Sequence, residues 1–182
     1  MMLTKARQQT AYEALSPSFG YTSRMQAPRV LKVVISSGVG KKRDQKQVAL
    51  ITERLARITG QAPAPRAAKQ SIASFKVRAG DTVGLQVTLR GGRMFDFLDK
   101  LVHIALPRTR DFRGLAASAV DDMGNLTIGI KEHTIFPETS DEDLKDVFGL
   151  AITIVTTAKN KAEAEAFFRH LGFPLRSAES KK

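Results

Sequence analysis

Between residues 83 and 107 the chain spells out a strand followed at once by a helix. Val83, Leu85, Val87 and Leu89 alternate with Gly84, Gln86, Thr88 and Arg90, a period of two that sends one set of side chains into a core and the other outward. The period then changes. Met94, Phe97, Leu98, Leu101, Ile104 and Ala105 share one helical stripe, which stops at Pro107. A strand greasy on one side needs neighbouring strands at its edges and a helix layer over its apolar face.

The rest of the chain offers both. Val30 to Ile35 (VLKVVI) is nearly continuous and β-branched, the pattern of a central strand, and SSGVG (Ser36 to Gly40) reads as the glycine turn that ends it. Asp44 is placed to cap a helix with Val48, Ile51, Leu55 and Ile58 on one face and Gly60 at its C′ position. Gln61 to Ser74 is a polar, cationic connection with room for a short strand. Leu126, Ile128 and Ile130 alternate after a DDMGN turn (Asp121 to Asn125), and Leu150, Ile152 and Ile154 form a last strand. Ser140 with Asp143 resembles a capping box for a helix bearing Leu144, Val147 and Phe148. Asn160 with Glu163 is a similar cap for a closing helix that buries Phe167, Phe168 and Leu171 before Gly172 and Pro174. Residues 3–15 read as a helix contacting the core through Ala6, Ala11, Ala14 and Leu15, and ended by Ser16-Pro17. The expected fold is α+β in two layers: a mostly antiparallel sheet, helices on one face, the other face partly open. Its 182 residues suit a single domain, with residues 1–26 as an N-terminal helical extension and 176–182 as a flexible tail.

Charge says what the open face meets. The formal net charge is +11, distributed as +8 over residues 1–60, +6 over 61–115 and −3 over 116–182. A polyanion is therefore expected on the first two thirds, and the acidic last third suits a basic partner. There is no cysteine, which excludes disulfides and thiolate metal sites. His103, His133 and His170 lie far apart, so neither metal nor cofactor is expected. No apolar run approaches the ~20 residues of a membrane span. The first ten residues lack a hydrophobic signal core, and the expected location is the cytoplasm.

Four segments could carry function. GVGKK (Gly38 to Lys42) lacks the spacing of a nucleotide-hydrolysing phosphate loop, since Ile35 and Lys42 stand where that loop needs Gly and Ser or Thr. It remains either a turn facing a phosphate or a structural turn. Lys69, Lys76 and Arg78 bracket SIASF (Ser71 to Phe75) at what resembles a hairpin tip, either a solvated loop or a sugar-phosphate contact, with Phe75 expected to plug the core. The polar strand face Gln86-Thr88-Arg90 has no acid and runs into Arg93. It also has no aromatics, which argues for folded RNA read by backbone and shape over stacked single strands. In PRTRDFRGL, Asp111 can pair with Arg108 or Arg110 and order the loop. Asp121, Asp122 and Glu132 form no defined acid–base pair and read as turn and surface residues.

Five strings in order resemble a known family: APRVLKVVISSGVG, ITGQAPAPRAAKQSIASFKVRAGDTVGLQVTLRGGRMFDFLDKL, LPRTRDFRGL, MGNLTIGIKEHTIFPE and AITIVTTAKNKAEAEAFFRHLGFP, spanning roughly residues 27–175. They are similar to the large-subunit ribosomal protein family that binds 5S rRNA. The resemblance implies a non-enzymatic constituent of the large ribosomal subunit, bacterial or organellar, that helps attach 5S rRNA in the central protuberance and also contacts large-subunit rRNA. It implies rRNA contacts at Arg29, Lys32, Ser36, Gln61, Thr88 and Arg90. It implies contact with peptidyl-site transfer RNA through Lys69, Gln70, Ser71, Ser74, Lys76 and Arg78. A bridge to a small-subunit head protein is implied for Arg110, Asp111, Arg113, Gly114, Glu138, Asp141, Glu142 and Asp143. No membrane and no independent homo-oligomer are expected. Ser36 stands where the family usually has Asn, Gln70 where it usually has Lys, and Leu126 where it usually has Tyr. The alternatives are a generic basic RNA chaperone, or a nucleotide-using enzyme built on GVGKK.

Overall fold

The computed structural model describes residues 3–40, 45–110, 112–139 and 147–176. Five strands among them form one sheet in the order β2-β3-β1-β5-β4, with β1 Val30–Gly38, β2 Ala64–Ala67, β3 Thr82–Leu89, β4 Leu126–Ile130 and β5 Leu150–Thr156. The sheet is antiparallel, and the helices pack on one face, giving the expected two-layer α+β fold. The helices are α1 Leu3–Phe19, α2 Gln45–Thr59, α3 Gly91–Lys100 and α4 Lys161–Leu171. The chain divides into two compact units, Met1–Val33 with Leu89–Ile128 and Thr153–Lys182, and Val34–Thr88 with Gly129–Ile152.

In the unit holding both termini, α4 buries Ala164, Phe167, Phe168 and Leu171. Phe168 meets Phe173 edge to face at 5.6 Å and 84°, and burying such a ring contributes about 1.5–3 kcal/mol. The same unit buries Met94, Phe97 and Leu98 of α3. The expected DDMGN turn is present, closed by the Asn125 backbone N–H donating to the Asp121 carboxylate at 2.6 Å. Helix α1 buries only Thr4, Ala11 and Leu15 and is held largely by polar contacts. The Arg7 guanidinium donates to the Leu171 carbonyl at 2.9 Å, and the His170 ring lies 2.8 Å from the Arg7 carbonyl.

In the other unit, Ile51, Leu55 and Ile58 of α2 are buried, and Gly60 (φ +67°) ends the helix by donating to Ala56. Phe136, Phe148, Leu150 and Ile152 complete this core. His133 is fully buried, stacked on Phe148 at 4.1 Å, with Nε2 3.4 Å from Arg54 Nη1.

Several local expectations fail for physical reasons. Helix α1 passes through Ser16-Pro17 to Phe19, because a proline in the last turn forfeits one hydrogen bond and Gly20 still closes on Ser16 at 2.8 Å. Ala6 and Ala14 of that helix are exposed. The turn expected at Ser36 begins later: Ser36 to Gly38 stay in β1, where Ser37 donates to the Gly149 carbonyl at 2.8 Å and Val39 to Val83 at 3.0 Å. Ile104 is 43% exposed. Beyond Lys100 the helix widens into a π turn, Leu106 N–H bonding back to Leu101, and the wider turn rotates Ile104 out while Ala105 and Leu106 come in. Asn160 is the N-cap of α4 but its side chain makes no capping bond. Glu163 instead accepts from the Lys159 N–H at 2.8 Å and the Tyr21 hydroxyl at 2.5 Å. Burial, then the hydrogen bond and charge of Glu163, hold the Tyr21 phenol above its usual range. The Asp44 cap and the Ser140–Asp143 box lie outside the described residues.

Candidate nucleic-acid interface

Strand β3 sets the register of the polar face. Ala64 pairs with Gln86 and Arg66 with Gly84 across the β2–β3 ladder, and the Arg66 Nε donates to the Gln86 Oε1 at 2.6 Å. Leu85 and Val87 are buried on the opposite face, as alternation requires. Gly60 turns the chain out of α2 and presents Gln61, whose Nε2 lies 3.5 Å from the Thr88 carbonyl. Thr59 braces that turn, donating to Leu55 at 2.7 Å and set 3.0 Å from the Gln61 carbonyl. Thr88 and Ser36 are half-buried, and neither hydroxyl has a hydrogen bond among the described residues. Gly84 lies where a Cβ would meet the Ser37 carbonyl at 3.3 Å. The structure thus gathers Ser36, Gln61, Thr88, Gln86 and Arg66 into one unit, on or beside strands β1 to β3. Arg66 went unmarked in the sequence reading, because only the strand register places it opposite Gly84.

The segment 68–81 is a hairpin extension held by its own backbone. Ala68 and Asp81 bond at 2.8 Å, and Ile72 and Val77 exchange bonds at 2.9 and 3.2 Å. A tight turn, Ala73–Phe75, hands over to Lys76 in the left-handed region (φ 52°). Ser71 Oγ accepts the Ala79 N–H and the Asp81 carboxylate accepts the Arg78 N–H, both at 2.9 Å. This ordered backbone leaves Lys69, Gln70, Ser71, Ser74, Lys76 and Arg78 all exposed. Phe75 does not plug the core. It is 72% exposed, on the rim of a cleft of about 960 Å³ that Ile72, Val83 and Phe148 also line. At the apex of a narrow hairpin, the ring lies on a cleft wall and is not enclosed by the core.

The remaining predicted residues belong mostly to the terminal unit. Arg29 is exposed, its backbone N–H bonded to Thr157 Oγ1 at 2.9 Å. Lys32 is half-buried on β1, and Arg90 is the exposed N-cap residue of α3. Arg110 and Arg113 are exposed, and the Arg113 carbonyl accepts from Arg176 Nε at 2.8 Å. Gly114 (φ +90°) is confined by the Pro174 carbonyl, 2.9 Å from where a Cβ would stand. Glu138 is exposed in the other unit, in the short turn Pro137–Thr139. Asp111, Asp141, Glu142 and Asp143 lie outside the described residues, as do Lys41 and Lys42 of GVGKK. Among the described residues no group of His, Asp and Glu side chains could hold a metal ion, and no helix is long and apolar enough to cross a membrane.

An antiparallel sheet with an acid-free polar strand, extended by a cationic hairpin, is an arrangement suited to a folded polyanion. Residues 23–78 match the family described as Ribosomal protein L5, and residues 82–175 match the C-terminal region of the same ribosomal family. The large ribosomal subunit protein uL5 of Anaeromyxobacter sp. (strain K) is 47% identical over 163 residues, 89% of this chain and 91% of the relative. Those of Ureaplasma urealyticum serovar 10 (47%; 92% of each chain) and Nocardia farcinica (49%; 90% and 88%) are similar to the same extent. The chain belongs to the ribosomal protein L5 family, a family of structural ribosomal proteins and not of enzymes.

Proposed function

We propose that the chain is a structural constituent of the large ribosomal subunit, acting in the bacterial cytoplasm as one RNA-binding domain that secures 5S rRNA against the large-subunit rRNA. The observation that carries this is the pre-set polar face of β3. Gln61 is braced against the Thr88 carbonyl, while the Thr88 hydroxyl stays open to a ligand. With Ser36 beside them and Arg29, Lys32 and Arg90 supplying phosphate partners, this set is the 5S rRNA contact. Fixed donors on a sheet suit folded RNA, because ordering them costs little on binding.

The hairpin serves a second RNA. Its hydrogen-bonded backbone presents Lys69, Gln70, Ser71, Ser74, Lys76 and Arg78 to a sugar-phosphate backbone, and peptidyl-site transfer RNA is the partner that the family membership favours. The bridge to a small-subunit head protein uses the loop Arg110, Asp111, Arg113 and Gly114 with the acidic set Glu138, Asp141, Glu142 and Asp143. A gel-shift titration of the full chain against 5S rRNA at two salt concentrations tests the main claim. Affinity should fall steeply with salt as phosphate neutralisation releases counterions. Equal affinity for a duplex DNA control would end the claim of specific recognition.

A further inference from the structure

A second cleft lies in the terminal unit, and Arg29 is the only residue assigned above that lines it. It is walled by Gln8, Gln9 and Tyr12 of α1 on one side and by Arg24, Met25 and Arg29 of the segment entering β1 on the other, with Ala27 and Pro28 as its floor, and it encloses about 180 Å³. That is below the roughly 300–1,000 Å³ of drug-sized ligand sites and suits a single planar ring system. Its chemistry is specific in kind. Tyr12 offers a half-buried ring. Met25, 84% exposed, offers a polarisable thioether to the face or edge of an aromatic guest. Gln8 spends its side-chain oxygen on the Val30 N–H at 2.9 Å, so what it presents to the cleft is an amide N–H pair. The two arginines differ. Arg24 is paired with Glu13 at 3.4 Å. The Arg29 guanidinium has no hydrogen bond or ion pair among the described residues and is left for an anion.

We propose that this cleft holds one unstacked nucleotide, its base between Tyr12 and Met25 and its phosphate on Arg29. A ring, a thioether, the Gln8 amide donor and one unspent guanidinium around a space of this size suit a nucleoside 5′-phosphate. The source is a nucleotide bulged from folded RNA. A single available arginine binds a free mononucleotide weakly, whereas an RNA already held elsewhere on the basic surface delivers its bulge at high effective concentration. The inference rests on the proposed function only in taking RNA as the polyanion.

The test uses the full chain and two RNA hairpins of equal length, one fully paired and one carrying a single bulged nucleotide. The bulged hairpin should bind about tenfold more tightly, the scale of one base–aromatic stack. Tyr12→Phe should keep that preference and Tyr12→Leu should lose it. Equal binding of the two hairpins, or a preference that survives Tyr12→Leu, overturns the proposal. Should Tyr12→Leu fail to fold, NMR on the unaltered chain decides. AMP and UMP should shift the Met25 methyl and Tyr12 ring signals, while ribose 5-phosphate should not. Equal shifts from ribose 5-phosphate would reduce the cleft to a phosphate contact and overturn base recognition. A chain that ignores 5S rRNA yet prefers the bulged hairpin would refute the ribosomal role and leave the cleft standing.

Discussion

The polar face of β3 and the hairpin tip lie in one unit, carry similar residue types, and are built in opposite ways. On the sheet, side chains are braced: Gln61 on the Thr88 carbonyl, Arg66 on Gln86. At the tip, the backbone is braced and the side chains are not buried at all. A sheet contact has already given up its conformational freedom before it meets RNA, whereas a lysine at the tip surrenders up to about 2 kcal/mol of side-chain entropy when it is ordered. The two regions therefore divide the labour between shape recognition and charge.

The largest effect that separates them is on folding. Phe136→Ala, at a fully buried ring, should cost about 3–5 kcal/mol in denaturant unfolding. Phe75→Ala at the tip should stay within about 0.5 kcal/mol. A large loss at Phe75 would mean that the tip is part of the core after all. Next comes affinity. Thr88→Ala should weaken 5S rRNA binding about tenfold, the scale of a hydrogen bond to a charged group, and Lys69→Ala should weaken it less. The reverse ranking in a gel shift would move the 5S site from the sheet to the loop. Salt sharpens the contrast further. Arg78→Ala should lower the slope of log affinity against log salt for transfer RNA by about one, as one phosphate contact is lost, while Thr88→Ala should leave the 5S slope unchanged. The smallest effect is expected at Lys76. Lys76→Gly removes a charge but also relieves a left-handed backbone, so its unfolding free energy should move by less than about 1 kcal/mol while its salt slope drops as for Arg78.

Much of this architecture was legible because periodicity reports burial directly. The alternations at 83–89, 126–130 and 150–154 became β3, β4 and β5, and the stripe Ile51, Leu55, Ile58 with Gly60 became α2 and its end. What stayed hidden depends on neighbours that local sequence does not name. Phe75 has the same composition signal as a core aromatic, and only a hairpin too narrow to possess a core exposes it. The serines at 36 and 37 look like a turn until Gly149 and Val83 arrive to extend the ladder. Ile104 fits a 3.6-residue stripe that the π turn abandons. At the candidate site, Thr88 came from the strand alternation as well as the family resemblance, and Gln61 from the resemblance alone. Their hydrogen bond needed the fold, and so did the cleft at Tyr12, whose walls come from two segments that share no motif.

Gly172 carries a consequence for how the chain is made. It ends α4 at φ +96°, and a side chain there would collide with the Arg7 guanidinium that bonds the neighbouring Leu171 carbonyl. The first helix is thus latched by the end of the last one, 164 residues later along the chain. In synthesis from the N-terminus, α1 is made well before α4. Until α4 is complete, α1 lacks the carbonyl that Arg7 bonds and has only its other anchors, among them Thr4 to Asp99 of α3 at 2.9 Å, and a lone 17-residue helix of this polarity is marginal in water. Closure of the Arg7 latch is therefore a report that α4 has formed.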